Sequence, residues 1–173
     1  KGDNTKIVNL TPPDLQVIYT ILKEYEVKIP DDDDENSYDD YDTDYEESID
    51  KTHVKSILKK ISKNLPSEAK EEIDKDFLRK RYHPYNNTIN EKVYATLKKA
   101  FAESKIVEIE YFNMESAEFK KRKINVYYTS GKYTIGYCHL RKAIRKFRTS
   151  RIASAKLTDA TYRIPKNFNK NDY

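Results

Sequence analysis

The sequence predicts an α+β protein in which a layer of helices precedes a small antiparallel β-barrel, and three observations carry that prediction. Apolar residues recur at three- and four-residue spacing from Leu15 to Phe101, the period of a helix. From Val107 onward they recur at every second position, the period of a strand. Charge is segregated in the same sense. Asp31 to Asp50 holds twelve carboxylates and no Lys or Arg, whereas Phe119 to Leu157 holds twelve Lys or Arg and no carboxylate. The first tract repels phosphate and the second attracts it.

The chain has 173 residues, enough for one domain and an accessory segment. With 37% of residues hydrophobic and 36% charged, the core is small and part of the chain lies outside it. Cys138 is the only cysteine, so no internal disulfide forms and a reducing compartment is suitable. No apolar run approaches the roughly 20 residues that cross a bilayer, and no signal-peptide pattern opens the chain. These features point to a cytoplasmic protein with no membrane partner. Because the sequence opens on Lys1, it reads as an excerpt, and a preceding domain is expected.

The first helix is announced by Thr11-Pro12-Pro13-Asp14, a hydroxyl cap, prolines that need no N–H, and an early acid. Its apolar face is Leu15, Ile18, Leu22 and Tyr25, and Pro30 ends it. The acidic loop at 31–50 is read as solvated and disordered, with internal competition against nucleic acid as a second possibility. Asp40, Asp42 and Asp44 resemble the opening of a calcium loop. Tyr45 replaces the required glycine and Lys51 the closing glutamate, so no metal site is expected. Val54, Ile57, Leu58, Ile61 and Leu65 mark a second helix closed by Pro66, and Ile73 and Phe77 are the buried side of a third. Arg79 to Tyr85 reads as a basic, aromatic, non-helical connector.

Thr88 and Glu91 fit a capping box for a fourth helix with Val93, Tyr94, Leu97, Ala100 and Phe101 on one face. The period then changes, which marks a boundary between helical and sheet-forming parts. Val107, Ile109 and Tyr111 alternate with Glu108, Glu110 and Phe112. Further strands are read at 120–128, 132–140, 144–148 and 152–157. Short strands with tight turns after one helix suggest a curled barrel of the SH3 or Sm type.

An ordered set of features carries a family resemblance: a helix, Val107-Glu108-Ile109-Glu110-Tyr111, Arg122, Gly131-Lys132-Tyr133-Thr134-Ile135-Gly136-Tyr137, and Arg145-Lys146-Phe147-Arg148-Thr149-Ser150-Arg151-Ile152. Together they resemble a WYL domain, the Sm-like barrel of many bacterial transcription regulators and some antiphage proteins. Tyr133, Thr134 and Ile135 stand where that family has its tryptophan, tyrosine and leucine. The resemblance implies a helical linker over 1–87, a barrel with its leading helix over 88–173, and a helix-turn-helix upstream that would contact duplex DNA. It also implies a sensor of single-stranded nucleic acid or a nucleotide, with a second copy of the chain as a homodimer partner.

Arg122, Arg145, Arg148 and Arg151 match the family's basic positions, and the resemblance implies a pocket in which they bind phosphate. Thr134 and His139 complete the expected ligand set, with Tyr137, Arg141 and Lys142 as weaker members. Arg122 shares the apolar side of its strand, so it is either at the barrel mouth or paired. Arg151 is as readily a structural arginine, and pairing with Glu108 or Glu110 would make others so. Tyr133 and Phe147 are assigned to the core, and at most one of Tyr127 and Tyr128 is buried. No catalytic residue or cofactor is expected. The basic stretch has no carboxylate for a nuclease, and the three glycines form no phosphate loop. The alternative function is a protein-interaction or oligomerisation module.

Overall fold

The computed structural model describes residues 8–28 and 50–173. The acidic tract at 31–49 and its calcium-like spacing lie outside the described residues. The chain divides into two compact units, Lys1–Phe77 and Leu78–Tyr173. Among the described residues no helix is long and apolar enough to cross a membrane.

The first unit contains α1 (Pro12–Lys28), α2 (Lys51–Ser62) and most of α3 (Ser67–Arg81). The Thr11 amide and hydroxyl donate to the Asp14 carboxylate at 2.8 and 2.5 Å, and these bonds hold Asp14 below the usual carboxylate range. Asp50 caps α2 by accepting from the Thr52 N–H at 2.9 Å. Tyr19, Val54, Leu58 and Leu65 form the core, with Leu15, Leu22, Ile61 and Ile73 packed against it. The Tyr19 hydroxyl donates to Asp74 at 3.0 Å; burial, with Asp74 beside it, pushes this phenol well above its ordinary pKa. The third helix extends through Arg81, so Arg79, Lys80 and Arg81 form its basic last turn and are not part of a non-helical connector. Cations there are favoured by the negative end of the helix dipole.

In the second unit α4 (Glu91–Glu103) precedes β1 (Lys105–Asn113), β2 (Glu118–Thr129), β3 (Tyr133–Cys138), β4 (Ala143–Arg148) and β5 (Ile152–Thr161). Asn90, not Thr88, caps α4, its side chain accepting from the Val93 N–H at 3.2 Å. All pairings are antiparallel, in the order β4-β3-β2-β1-β5. Val93, Leu97 and Ala100 of α4 pack on an inner face made by Val107, Ile109, Ile124, Val126, Cys138, Phe147 and Ile152. The strands thus alternate as the sequence predicts, with their shared apolar face under the helix.

The sheet is open, with β4 and β5 as its edges, so no ladder between them closes the predicted barrel. It is nevertheless strongly curled. Three strand spacings separate β4 from β1, about 14 Å in a flat sheet. Tyr111 of β1 instead meets Phe147 of β4 edge-on, with ring centroids 5.2 Å apart. Its hydroxyl also accepts from the Arg148 N–H at 3.3 Å. Register shifts at Val126/Tyr128 and Glu110/Tyr111 supply the bend, since an extra residue on one strand kinks it.

Burial also departs from simple alternation at two places in the sheet. Phe112, read as the solvent-side partner of the Tyr111 alternation, is fully buried. It stacks on Tyr82 with centroids 4.6 Å apart and meets Phe119 at 5.3 Å, forming a small aromatic cluster. At the β2 shift Tyr127 and Tyr128 escape strict alternation, and both meet the C-terminal segment. Tyr127 is buried against Tyr162 and Phe168, whereas Tyr128 is half-buried beneath Lys170. Burial pushes the Tyr162 phenol up to about 12, and its hydroxyl donates to the Val126 carbonyl.

Gly136 makes the β2–β3 approach possible, because a Cβ there would lie 2.1 Å from the Asn125 carbonyl oxygen. Gly136→Ala is expected to destabilise the protein by about 3 kcal/mol or more, as overpacking against backbone does. Urea denaturation reads this directly, and an unchanged midpoint would contradict the close approach.

Candidate functional site

Strand register sorts the expected ligand residues onto opposite faces. Directly paired residues share a face, so Arg122 opposite Ile109 and Arg145 opposite Gly136 lie on the inner side. Arg122 donates from Nη1 to the buried Cys138 sulfur at 3.8 Å, while its Nε is buried without a partner among the described residues. Arg145 is exposed. Tyr133, opposite Arg148, lies on the outer side, together with Ile135 and Tyr137. Register thus places Arg122 and Arg145 on the face opposite Tyr133 and Arg148.

On the outer side the Tyr133 ring is ringed by cations: Lys146 Nζ at 4.5 Å, Lys132 Nζ at 5.4 Å and Arg148 Cζ at 6.0 Å from its centroid. None of the three meets an Asp or Glu side chain among the described residues, and Lys146 Nζ donates to the main-chain oxygen of Tyr173, the last residue, at 2.7 Å. The Arg148 hydrogen bond, with Lys132 and Lys146 nearby, lowers the Tyr133 pKa from its ordinary value. Tyr133 thus belongs to a partly exposed basic patch, not to the core assigned from sequence. Phe147 takes the core position as expected.

Several members of the set have structural partners. Arg148 Nη1 donates to the Pro84 carbonyl, and Arg151 Nε donates to the Tyr82 carbonyl at 3.3 Å. Both guanidinium groups thereby fasten the connector that follows α3. Thr134 is fully buried, its hydroxyl 3.0 Å from that of Thr129 and 3.1 Å from that of Thr149. It sits in a hydroxyl chain that ends where Thr149 donates to the Ser130 carbonyl at 2.8 Å. His139 is exposed, with Nε2 2.8 Å from Asn125 Oδ1 and its ring edge-on to Tyr137 at 5.4 Å. Arg141 and Lys142 occupy the exposed β3–β4 turn, where Lys142 has φ 51°.

Residues 92–157 match the family model for the WYL domain. The second unit carries a WYL domain. No curated protein matches the chain. A solved structure of Proteasome accessory factor B/C (PafBC) of Arthrobacter aurescens is similar over 89% of this chain, at 16% identity and a TM-score of 0.36. The match covers 21% of that protein, so this chain spans about a fifth of its length.

Within the WYL domain, sequence reasoning missed Lys132, Lys146 and Tyr133 as neighbours in one patch. The signal was present in the alternation, which places Tyr133 with Ile135 and Tyr137, but nothing in it says which face α4 covers. Arg148→Ala is expected to raise the Tyr133 titration midpoint toward that of an ordinary phenol. Alkaline difference spectra, with Tyr133→Phe identifying the contribution, measure it. An unmoved midpoint would mean that Arg148 does not act on the ring.

Proposed function

We propose that the WYL domain is the effector-sensing module of a transcriptional regulator and binds an anionic ligand, a single-stranded nucleic acid or a nucleotide. The observation that carries this reading is the Tyr133 ring held among Lys132, Lys146 and Arg148, none of which meets an Asp or Glu side chain among the described residues. A flat ring beside cations that no Asp or Glu neutralises suits a base and its phosphate together. Arg145, exposed on edge strand β4, His139, Arg141, Lys142 and Tyr137 at the β3–β4 end, and Arg151 extend the proposed basic surface, while Arg122 would meet a ligand from the inner face. Thr134 contributes by holding β3 against the 149–151 turn, and no catalytic residue or cofactor enters the proposal.

Arg148 links ligand to regulation. Its guanidinium serves both the Tyr133 patch and the Pro84 carbonyl, so a phosphate that claims it loosens the connector leading from α3. Residues 88–173 are then the cytoplasmic sensing module, an incompletely closed Sm-like and SH3-like barrel, and 1–87 the helical linker toward a DNA-contacting domain. A second reading has its own support. The open edges of β4 and β5 could pair with another chain, giving an interaction or homodimer module without an anionic ligand.

Fluorescence anisotropy with labelled single strands, duplexes and nucleotides separates the two readings. Recognition through about four cations predicts a log–log salt slope near −3 for single strands. Arg145→Ala with Arg148→Ala is expected to weaken binding about tenfold or more. Equal binding by both proteins, or none by the wild type, would overturn the proposal.

A further inference from the structure

The first unit contains a second cationic feature, separate from the WYL domain. A hollow of about 230 Å³ opens between its helices, with Lys23 of α1, Lys55, Lys59 and Ser62 of α2, and Lys70 of α3 around it. Tyr19 and Leu58, both buried, form its floor. Glu26 is the one carboxylate among its lining residues.

Four lysines from three helices line one small hollow, and their like charges repel one another. Lys55 and Lys59 are also four residues apart on α2, a like-charge spacing that disfavours the helix itself. Little offsets this repulsion. Lys23 reaches Asp74 at 3.8 Å, but Lys55, Lys59 and Lys70 have no acidic partner among the described residues. The Tyr19 ring is 3% exposed and its hydroxyl is engaged by Asp74, so the floor offers no stacking surface. Recognition there would be by charge alone. Ammonium groups are compact, rotatable donors that suit clustered phosphoryl oxygens without selecting a base.

We propose that this hollow binds two or more closely spaced phosphoryl groups, either on a free polyphosphate or along a nucleic-acid backbone. Bound anion relieves the repulsion between α1, α2 and α3 and rigidifies the unit. The site is independent of the Tyr133 patch.

The test is amide-resolved NMR titration of the whole chain with tripolyphosphate and, separately, with a short thymidine oligonucleotide. Lys55→Gln with Lys59→Gln is compared with Lys60→Gln with Lys63→Gln, which removes the same charge from α2 and its C-cap at positions that do not line the hollow. The expected result is saturable shifts at Lys55, Lys59 and Ser62 with one or both probes. Affinity should fall about tenfold or more in the first variant and less than about twofold in the second. Shifts with tripolyphosphate alone assign a free polyphosphate, and shifts with the oligonucleotide assign a backbone. Arg145→Ala with Arg148→Ala leaves these signals unchanged, which separates this site from the one on the WYL domain. Equal losses in the two lysine variants, or no shifts at these residues with either probe, would overturn the proposal.

Discussion

The second unit depends on the meeting of β1 and β4 across two intervening strands. Tyr111 packs edge-on against Phe147, and its hydroxyl takes the Arg148 amide. Without that junction the five strands would form a flat, exposed sheet whose far edge could not share a core with α4. With it, Phe147 joins the same apolar cluster as Val93 and Leu97, and the backbone of Arg148 is fixed. The position of the guanidinium relative to Tyr133 and the connector follows from that fixed backbone.

Register then determines which charges are neutralised. Ladder pairing sets Glu108 opposite Lys123 and Glu110 opposite Lys121, with ion-pair distances of 3.2 and 3.9 Å. Each carboxylate of β1 is matched locally, and such exposed pairs add little stability. The β3–β4 ladder has no carboxylate at all, so Lys146 and Arg148 gather around Tyr133 instead. Lys146 additionally donates to the Tyr173 carbonyl at 2.7 Å, which ties the C-terminal segment to the edge of this patch. The charge segregation visible along the chain thus becomes, through strand register, a local excess of cations on one strand pair.

Much of this was legible in the sequence because period and turn chemistry are local. The change of period after the fourth helix located β1. What was not legible depends on contacts between distant residues. Phe112 obeyed alternation yet is buried, because Tyr82 and Phe119 cover the second face at that end. Tyr133 was assigned to the core since large aromatic side chains usually lie there, but α4 covers the opposite face. Asn90 displaced Thr88 as a cap because both are good cap residues and only the helix start distinguishes them. Thr134 stands at a family ligand position, and the threonine hydroxyls that bury it come from β2 and the 149–151 turn.

The most direct test of this account is a double-mutant cycle on the junction itself, with Tyr111→Leu, Phe147→Leu and the combined protein compared by urea unfolding. If β4 curls onto β1, the two changes are coupled by about 1 kcal/mol. Strict additivity, within about 0.3 kcal/mol, would place the rings apart and contradict the curled sheet on which the basic patch depends.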